Sequence, residues 1–303
     1  MTFTQFNRIV EIRTKIISMG TFLCGSLFAL ATEQAWSWSR FLVMGFAVLF
    51  VDMGTTGFNS YFDFINGTDQ KQYNLERDKV LVHEGVKAST ALTISLIMFS
   101  LAALLGLLLA HWTSYWLVVV GGASMLVGFL YTGGPLPISR TPFGELFAGG
   151  FLGSLLFVLS YYVQSLTFGY QIIVVSLPQL ILIGEILMVN NSCDRIADEI
   201  AGRRTLAILL GEKRALWANR LFLTLAFLIQ LTLALVGYIP TITIAFTLLG
   251  AFLAFLVWRK MEKHGFSLET KGASMGGISK IYLIHCAFLA IALLVKYVSY
   301  RGG

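Results

Sequence analysis

Two short polar stretches carry the residues best suited to chemistry. One is Asn59-Ser-Tyr-Phe-Asp63, with Asp69 just beyond it, and the other is Asn190-Asn-Ser-Cys-Asp194-Arg-Ile-Ala-Asp198. On an α-helix, with its rise of about 1.5 Å per residue, side chains four apart lie above one another on one face, so each stretch aims its oxygens at one point. Oxygen donors of this kind suit Mg²⁺, which keeps several waters and binds through one or two carboxylates plus substrate phosphates. Each stretch reads as half of a magnesium site, and the pair as equipment for chemistry on a lipid-tailed diphosphate.

The surroundings of both stretches fit that reading. Asp52, Thr56, Asn59 and Asp63 follow i, i+4, i+7 and i+11, which makes one polar stripe in an otherwise apolar segment. Ionisable groups inside a membrane span face a cavity or one another and mark function. Asp52 taken alone is equally explained by pairing with a neighbouring helix, and Glu185 by a buried, protonated acid or a catalytic one. A diphosphate needs cations as well as magnesium, and they stand nearby: Arg77 and Lys79 alternate with Glu76 and Asp78, Arg140 follows a proline-rich stretch, and Gly202-Arg203-Arg204-Thr205-Leu206 follows the second cluster. The histidines at 83, 111, 264 and 285 show no ligand spacing, and His285 reads as a hydrogen-bonded packing residue. Cysteines 24, 193 and 286 have no pairing rhythm, which argues against a disulfide framework or a zinc site.

The elements that must position these groups are membrane helices. Of 303 residues, 56% are hydrophobic and only 13% charged, more apolar surface than a soluble domain buries. Runs long enough to cross a hydrocarbon core of about 30 Å lie near residues 16–32, 41–62, 89–110, 115–131, 144–163, 171–192, 214–236, 239–257 and 281–298. Backbone groups facing lipid need internal partners, and the runs lack the alternation of barrel strands, so the fold is an all-α bundle of nine transmembrane helices. Basic residues before the first span and Ala29-Leu30-Ala31 near its end resemble a secretory signal, but eight further spans favour a retained anchor.

With the N-terminus inside, eighteen Lys and Arg fall on the cytoplasmic side, and Arg40, Lys296 and Arg301 on the other. The formal charge of +6 is then sidedness plus anion attraction, and nucleic-acid binding would need a soluble basic surface that this chain lacks. No linker divides residues 1–303, which read as a single domain. Four spans separate the two clusters, so both face the cytoplasm, an arrangement that fits two related halves. Pro135, Pro137 and Pro142, with Gly133 and Gly134, interrupt the chain between the fourth and fifth spans and put Tyr131 and Arg140 on the side of the acids. The long polar connections after the second and sixth spans are expected to cap the cytoplasmic mouth.

These residues resemble the UbiA-type intramembrane aromatic prenyltransferases over nearly the whole chain. The likeness lies in Asn59-x-x-x-Asp63, in Asn190-x-x-x-Asp194-x-x-x-Asp198 followed by Ala201-Gly202-Arg203-Arg204-Thr205-Leu206, and in the nine spans. Tyr131-Thr-Gly-Gly-Pro135-Leu-Pro137, Gly144-Glu145-Leu146-Phe147 and Asp69 after Asn66-Gly67-Thr68 look like the 1,4-dihydroxy-2-naphthoate polyprenyltransferase branch. Gly67 stands where many other branches carry an Asp, and the first span lacks their Arg-Pro or Lys-Pro opening. The resemblance implies Mg²⁺-dependent transfer of a polyprenyl group from a polyprenyl diphosphate to dihydroxynaphthoate, with loss of carbon dioxide, giving demethylmenaquinone. It assigns metal binding to Asp63, Asp69, Asp194 and Asp198, and catalysis to Asn59, Asp63, Asp194 and Tyr131. Diphosphate contacts fall to Asn190, Arg77, Lys79, Arg140 and Arg204. Another acceptor (4-hydroxybenzoate, a haem or a chlorin) and a cation-coupled transporter are the alternatives.

Accessibility labelling of single cysteines placed at Asn66 and Gly202 tests the sidedness. Both should react with an impermeant reagent only from the cytoplasmic face, and labelling from opposite faces would remove the shared site.

Overall fold

The computed structural model of the chain describes residues 1–68 and 79–301. A capping box opens the chain: the Thr2 hydroxyl accepts from the Gln5 amide at 3.2 Å, the Gln5 side chain accepts from the Thr2 amide at 2.9 Å, and the short helix α1 (Phe3–Ile9) follows. After a 3₁₀ turn at Ile12–Thr14 come α2 (Lys15–Glu33) and α3 (Trp38–Ile65), then α4 (Val80–His83), α5 (Ala88–Trp112) and α6 (Trp116–Leu130). The fifth span is composite: α7 (Gly144–Ala148) passes through a π-helical stretch, Gly149–Leu155, into α8 (Leu156–Ser165). The short α9 (Tyr170–Val175) meets α10 (Leu177–Ile200), which carries Pro178 in its first turn, where its missing N–H costs nothing. Helices α11 (Leu206–Leu235), α12 (Thr243–His264) and α13 (Lys271–Arg301) complete the bundle. No strand occurs among the described residues.

Among the described residues, eight helical stretches are long and apolar enough to cross a membrane. The expected fourth span, α6, has 15 residues and reaches only roughly 22 Å, short of the hydrocarbon core. Several helices also overrun the apolar limits read from the sequence. The third runs on to Ile65, α10 to Ile200, and α13 begins at Lys271, all at one end of the bundle. These polar extensions carry the candidate site. Large apolar side chains such as Leu104, Leu248 and Phe252 cover the outer surface, as expected of a lipid-facing wall.

The inner packing fixes where the two acidic stretches end up. α2 packs on α3, α8 and α13, while α10 packs on α7 and the π stretch, on α11 and on α13. Backbones meet directly where α10 crosses the fifth span. A Cβ on Gly149 would lie 2.2 Å from the Leu180 carbonyl oxygen, and one on Gly153 would lie 2.6 Å from that of Gln179. Small residues at such crossings let membrane helices approach where no hydrophobic force drives them together. The widened π turn sends Phe151, Leu152 and Leu155 toward a central cavity. Each of the three cysteines is free and buried, and the ring of His285 bonds to Gln179 Oε1 at 2.7 Å as a packing residue.

Gly149→Ala should lower thermal stability by roughly 1–3 kcal/mol, the usual cost of overpacking. Gly150→Ala, where an added Cβ meets nothing within 4 Å, should be neutral. Equal melting temperatures for the two variants in detergent would show that the helices do not touch at Gly149.

Candidate active site

Helices α3 and α10 end in the same way, and that ending builds the site. Gly67 closes α3 at φ 68°, with its amide donating to Phe64 O at 3.3 Å and the Thr68 amide donating to Asp63 O at 2.9 Å. Gly202 closes α10 at φ 75°, with its amide donating to Glu199 O at 3.1 Å and the Arg203 amide donating to Asp198 O at 2.9 Å. Both are Schellman motifs, which need a left-handed residue that glycine adopts without strain. Asp63 and Asp198 thus occupy the same place in the last turn of their helices. In the sequence Asp63 aligns naturally with Asp194 through the shared Asn-x-x-x-Asp, whereas the helix ends pair it with Asp198.

A carboxylate in the last turn of a helix adds to the negative end of the helix dipole and needs a cation nearby. Arg203 answers both helices at once. Reversed by the turn at Gly202, it places Nη2 3.0 Å from Asp63 Oδ1 and Nη1 3.2 Å from Asp198 Oδ1. One turn earlier on α10, Asp194 Oδ2 takes Lys271 Nζ at 2.7 Å, from the start of α13, and accepts from Asn190 Nδ2 at 3.2 Å. Burial alone would pull the Arg203 guanidinium down, yet the carboxylates of Asp63 and Asp198 outweigh it and hold its pKa above the usual value. Tyr131 lies between. Burial first, then the charges of Glu145, Asp63 and Asp198, raise its phenol against the pull of Arg203, so the hydroxyl keeps its proton.

Other contacts set the amides and the inner wall. Thr132 Oγ1 donates to Asn59 Oδ1 at 2.8 Å, and Asn191 Nδ2 donates to Glu145 Oε1 at 2.9 Å. Deeper on α3, Asp52 is paired with a neighbouring helix: its Oδ1 meets Lys15 Nζ at 2.6 Å and its Oδ2 accepts from Ser18 Oγ at 2.6 Å. Lys15 is 3% exposed, so the pair is a buried one, and Asp52 and Ser18 border the cavity beside it.

Of these groups, all but Lys15 and Glu145 border one cavity of about 1180 Å³, larger than the roughly 300–1,000 Å³ of pockets for drug-sized ligands. Its polar end is lined by Asn59, Asp63, Tyr131, Asn190, Asn191, Asp194, Asp198, Arg203 and Lys271. Its other end reaches Met44, Leu109, Leu117 and Val163. Along α3 from Asp63 to Met44 the cavity is roughly 28 Å deep. It is an apolar tunnel with a charged mouth.

The residues read from the sequence separate into three groups. Asn59, Asp63, Tyr131, Asn190, Asp194 and Asp198 converge on the mouth, and Lys79 lines it too while paired with Glu11 at 3.5 Å. Asp69 and Arg77 lie outside the described residues. Arg140 and Arg204 are not among the cavity's lining residues: Arg140 Nη2 donates to Thr68 Oγ1 at 3.4 Å, its carbonyl accepts from the exposed Arg204. Arg203 and Lys271 stand at the mouth instead. The glycine that ends α10 was the available signal for Arg203, whereas nothing local connects Lys271 to an acid 77 residues away.

No three His, Cys, Asp or Glu side chains among the described residues already form a metal cage. The donor set nonetheless fits a hard divalent cation. It consists of carboxylate and amide oxygens, and Asp198 Oδ2 is buried without a hydrogen-bond partner among the described residues.

A multi-pass helical bundle here joins a carboxylate-rich mouth to a deep, largely apolar tunnel. Residues 18–271 match the UbiA prenyltransferase family, and the chain belongs to it. It is 41% identical over 175 residues to a 1,4-dihydroxy-2-naphthoate octaprenyltransferase of Bacillus subtilis (strain 168), a match spanning 58% of this chain and 56% of that protein, little more than half its length. A protein of the same description from Mycobacterium tuberculosis is 30% identical over 217 residues, covering 70% of this chain and 72% of that one. The structure of a UbiA homolog from Archaeoglobus fulgidus bound to DMAPP and Mg²⁺ matches with a TM-score of 0.61 at 14% identity, over 96% of this chain and 99% of that one. That last likeness is one of fold.

Arg203→Ala should destabilise the metal-free protein by roughly 3 kcal/mol, since removing one partner of a buried pair strands the other charges. Magnesium should then restore more of the melting temperature than it adds to the wild type. An Arg203→Ala protein that melts like wild type, with no gain from magnesium, would contradict the electrostatic picture.

Proposed function

We propose that this protein transfers a polyprenyl group from a polyprenyl diphosphate to 1,4-dihydroxy-2-naphthoate with loss of carbon dioxide, yielding demethylmenaquinone. The reading rests above all on one observation: carboxylates from two helices distant in sequence meet at one guanidinium, in the mouth of a tunnel as deep as a membrane leaflet pair. The names of the Bacillus and Mycobacterium relatives support the naphthoate acceptor, and the ligands of the Archaeoglobus homolog support a magnesium-bound prenyl diphosphate. The bias of basic residues supports a cytoplasmic mouth and N-terminus in the cell membrane.

Asp63, Asp69, Asp194 and Asp198 hold Mg²⁺ in this reading, and the metal, when bound, offsets the charge that grows on the departing diphosphate. Arg203, Lys271 and Lys79 are placed to donate to the same anion. Arg203 and Lys271 take the part that the sequence alone assigned to Arg140 and Arg204, beside Lys79, which it had also assigned. Tyr131, which keeps its proton, adds a neutral donor. Asn59, whose oxygen is engaged by Thr132, turns its amide hydrogens outward, and Asn190 orients Asp194. The apolar walls keep water from the reactive allylic carbon until the electron-rich ring attacks it. In that attack the new carbon–carbon bond forms at the ring carbon bearing the carboxylate, and the carbon–carbon bond to carbon dioxide breaks.

Asp63→Asn and Asp194→Asn should each lose about 100-fold or more in turnover, at least the upper range seen for changes around a metal's ligands, while still inserting in the membrane. Mass spectrometry of products from a panel of aromatic acceptors, with and without magnesium, reads the outcome. Near-native turnover of either variant would exclude the metal assignment, and a product from another acceptor alone would exclude the naphthoate.

A further inference from the structure

We propose that Glu145 is a positioning residue, which locks the side chain of Asn191 so that its amide oxygen serves as a neutral oxygen donor toward the divalent cation at the mouth. The inference rests on the magnesium-diphosphate reading given above and adds two residues to it.

The geometry carries the argument. Glu145 opens α7 and is 5% exposed, and Asn191 on α10 is equally buried. Asn191 Nδ2 donates to Glu145 Oε1 at 2.9 Å. An ionised carboxylate accepts and does not donate, so against ionised Glu145 the amide stands with its NH₂ toward the carboxylate and its oxygen turned away. The other Glu145 oxygen has no partner among the described residues, so this contact is what the buried acid offers. Close packing delivers it: a Cβ on Gly184 would lie 3.1 Å from the Glu145 carbonyl oxygen, which leaves α7 seated directly on α10.

Asn191, Asp194 and Asp198 follow i, i+3 and i+7 on α10, and all three line the mouth. An amide oxygen there repels the oxygens of a diphosphate and suits a cation. Asn59 on α3 is set the opposite way. Its oxygen accepts from Thr132, at the other end of the proline-rich connection that leads to Glu145, so its NH₂ is the free end. One connection thereby orients two amides, a donor on the α3 side for the anion and an acceptor on the α10 side for the cation.

The test is calorimetric binding of inorganic diphosphate to the purified full chain at graded magnesium. Glu145→Leu should weaken magnesium-supported binding about tenfold, the lower end of what residues supporting a metal's ligands contribute. Glu145→Gln keeps an acceptor at the same place and should bind within about twofold of wild type. Asn191→Leu should match Glu145→Leu, and the double variant should be no weaker than either, because the two act through one contact. If Glu145→Leu fails to fold, Asn191→Leu against Glu145→Gln carries the comparison. Wild-type affinity in Glu145→Leu or Asn191→Leu, a Glu145→Gln as weak as Glu145→Leu, or additive losses would each overturn the inference while leaving the site's function standing. A wild-type protein that binds no diphosphate with magnesium would overturn both.

Discussion

Negative charge gathered at the ends of two parallel helices governs this structure. The last turns of α3 and α10 carry the negative ends of the helix dipoles, and each turn also carries an aspartate at the same place, Asp63 and Asp198. Asp194 adds a third acid one turn back. In the low dielectric of a protein interior such a concentration of like charge is costly. Arg203 and Lys271 neutralise it in the absence of ligand, and a divalent cation would do so more compactly. Stability and chemistry therefore draw on the same electrostatic need.

The rest of the bundle can be understood as what holds those two helix ends face to face. Glycines at 149 and 153 let the fifth span press against α10, and α11 and α12 line none of the cavity but back α10 and α13 from outside. The connection from Tyr131 to Phe143 cannot be regular helix because of its prolines, and it is the piece that reaches both half-sites, through Thr132 to Asn59 and through the start of α7 to Asn191. Behind the mouth the cavity walls turn mostly apolar, although Asp52 and Thr55 of α3 and Ser18 of α2 still line it farther in. That change of lining gives the cavity its two characters: a charged head and a largely apolar body.

Much of the site was legible because its signals are local. A carboxylate and a carboxamide four residues apart on an apolar helix are conspicuous in any sequence of this composition, and Asn59, Asp63, Asn190, Asp194 and Asp198 do share one mouth. Asp52 was ambiguous for the same reason: a lone acid in a span tells nothing of its partner, which is Lys15, 37 residues earlier. The choice between Arg203 and Arg204 turned on a single left-handed glycine, since the turn at Gly202 sends one arginine over the helix end and leaves its neighbour exposed. Arg140, close to the acids in topology, bonds to the end of α3 rather than facing the cavity.

The amino-acid sequence by itself determined that the chain is an all-helical, multi-pass membrane protein, and it singled out acids that the fold brings to one end of one cavity. Hydrophobic run length, helical periodicity and the distribution of basic residues are properties of neighbouring residues, so they need no knowledge of the fold. Only the tertiary structure decided that Asp63 stands opposite Asp198 with Arg203 as their shared counter-charge, that Lys271 pairs with Asp194, and that Glu145 accepts from the amide of Asn191. Those pairings depend on how helices far apart in sequence are rotated and pressed together, which close backbone contacts at glycines such as Gly149 and Gly153 permit.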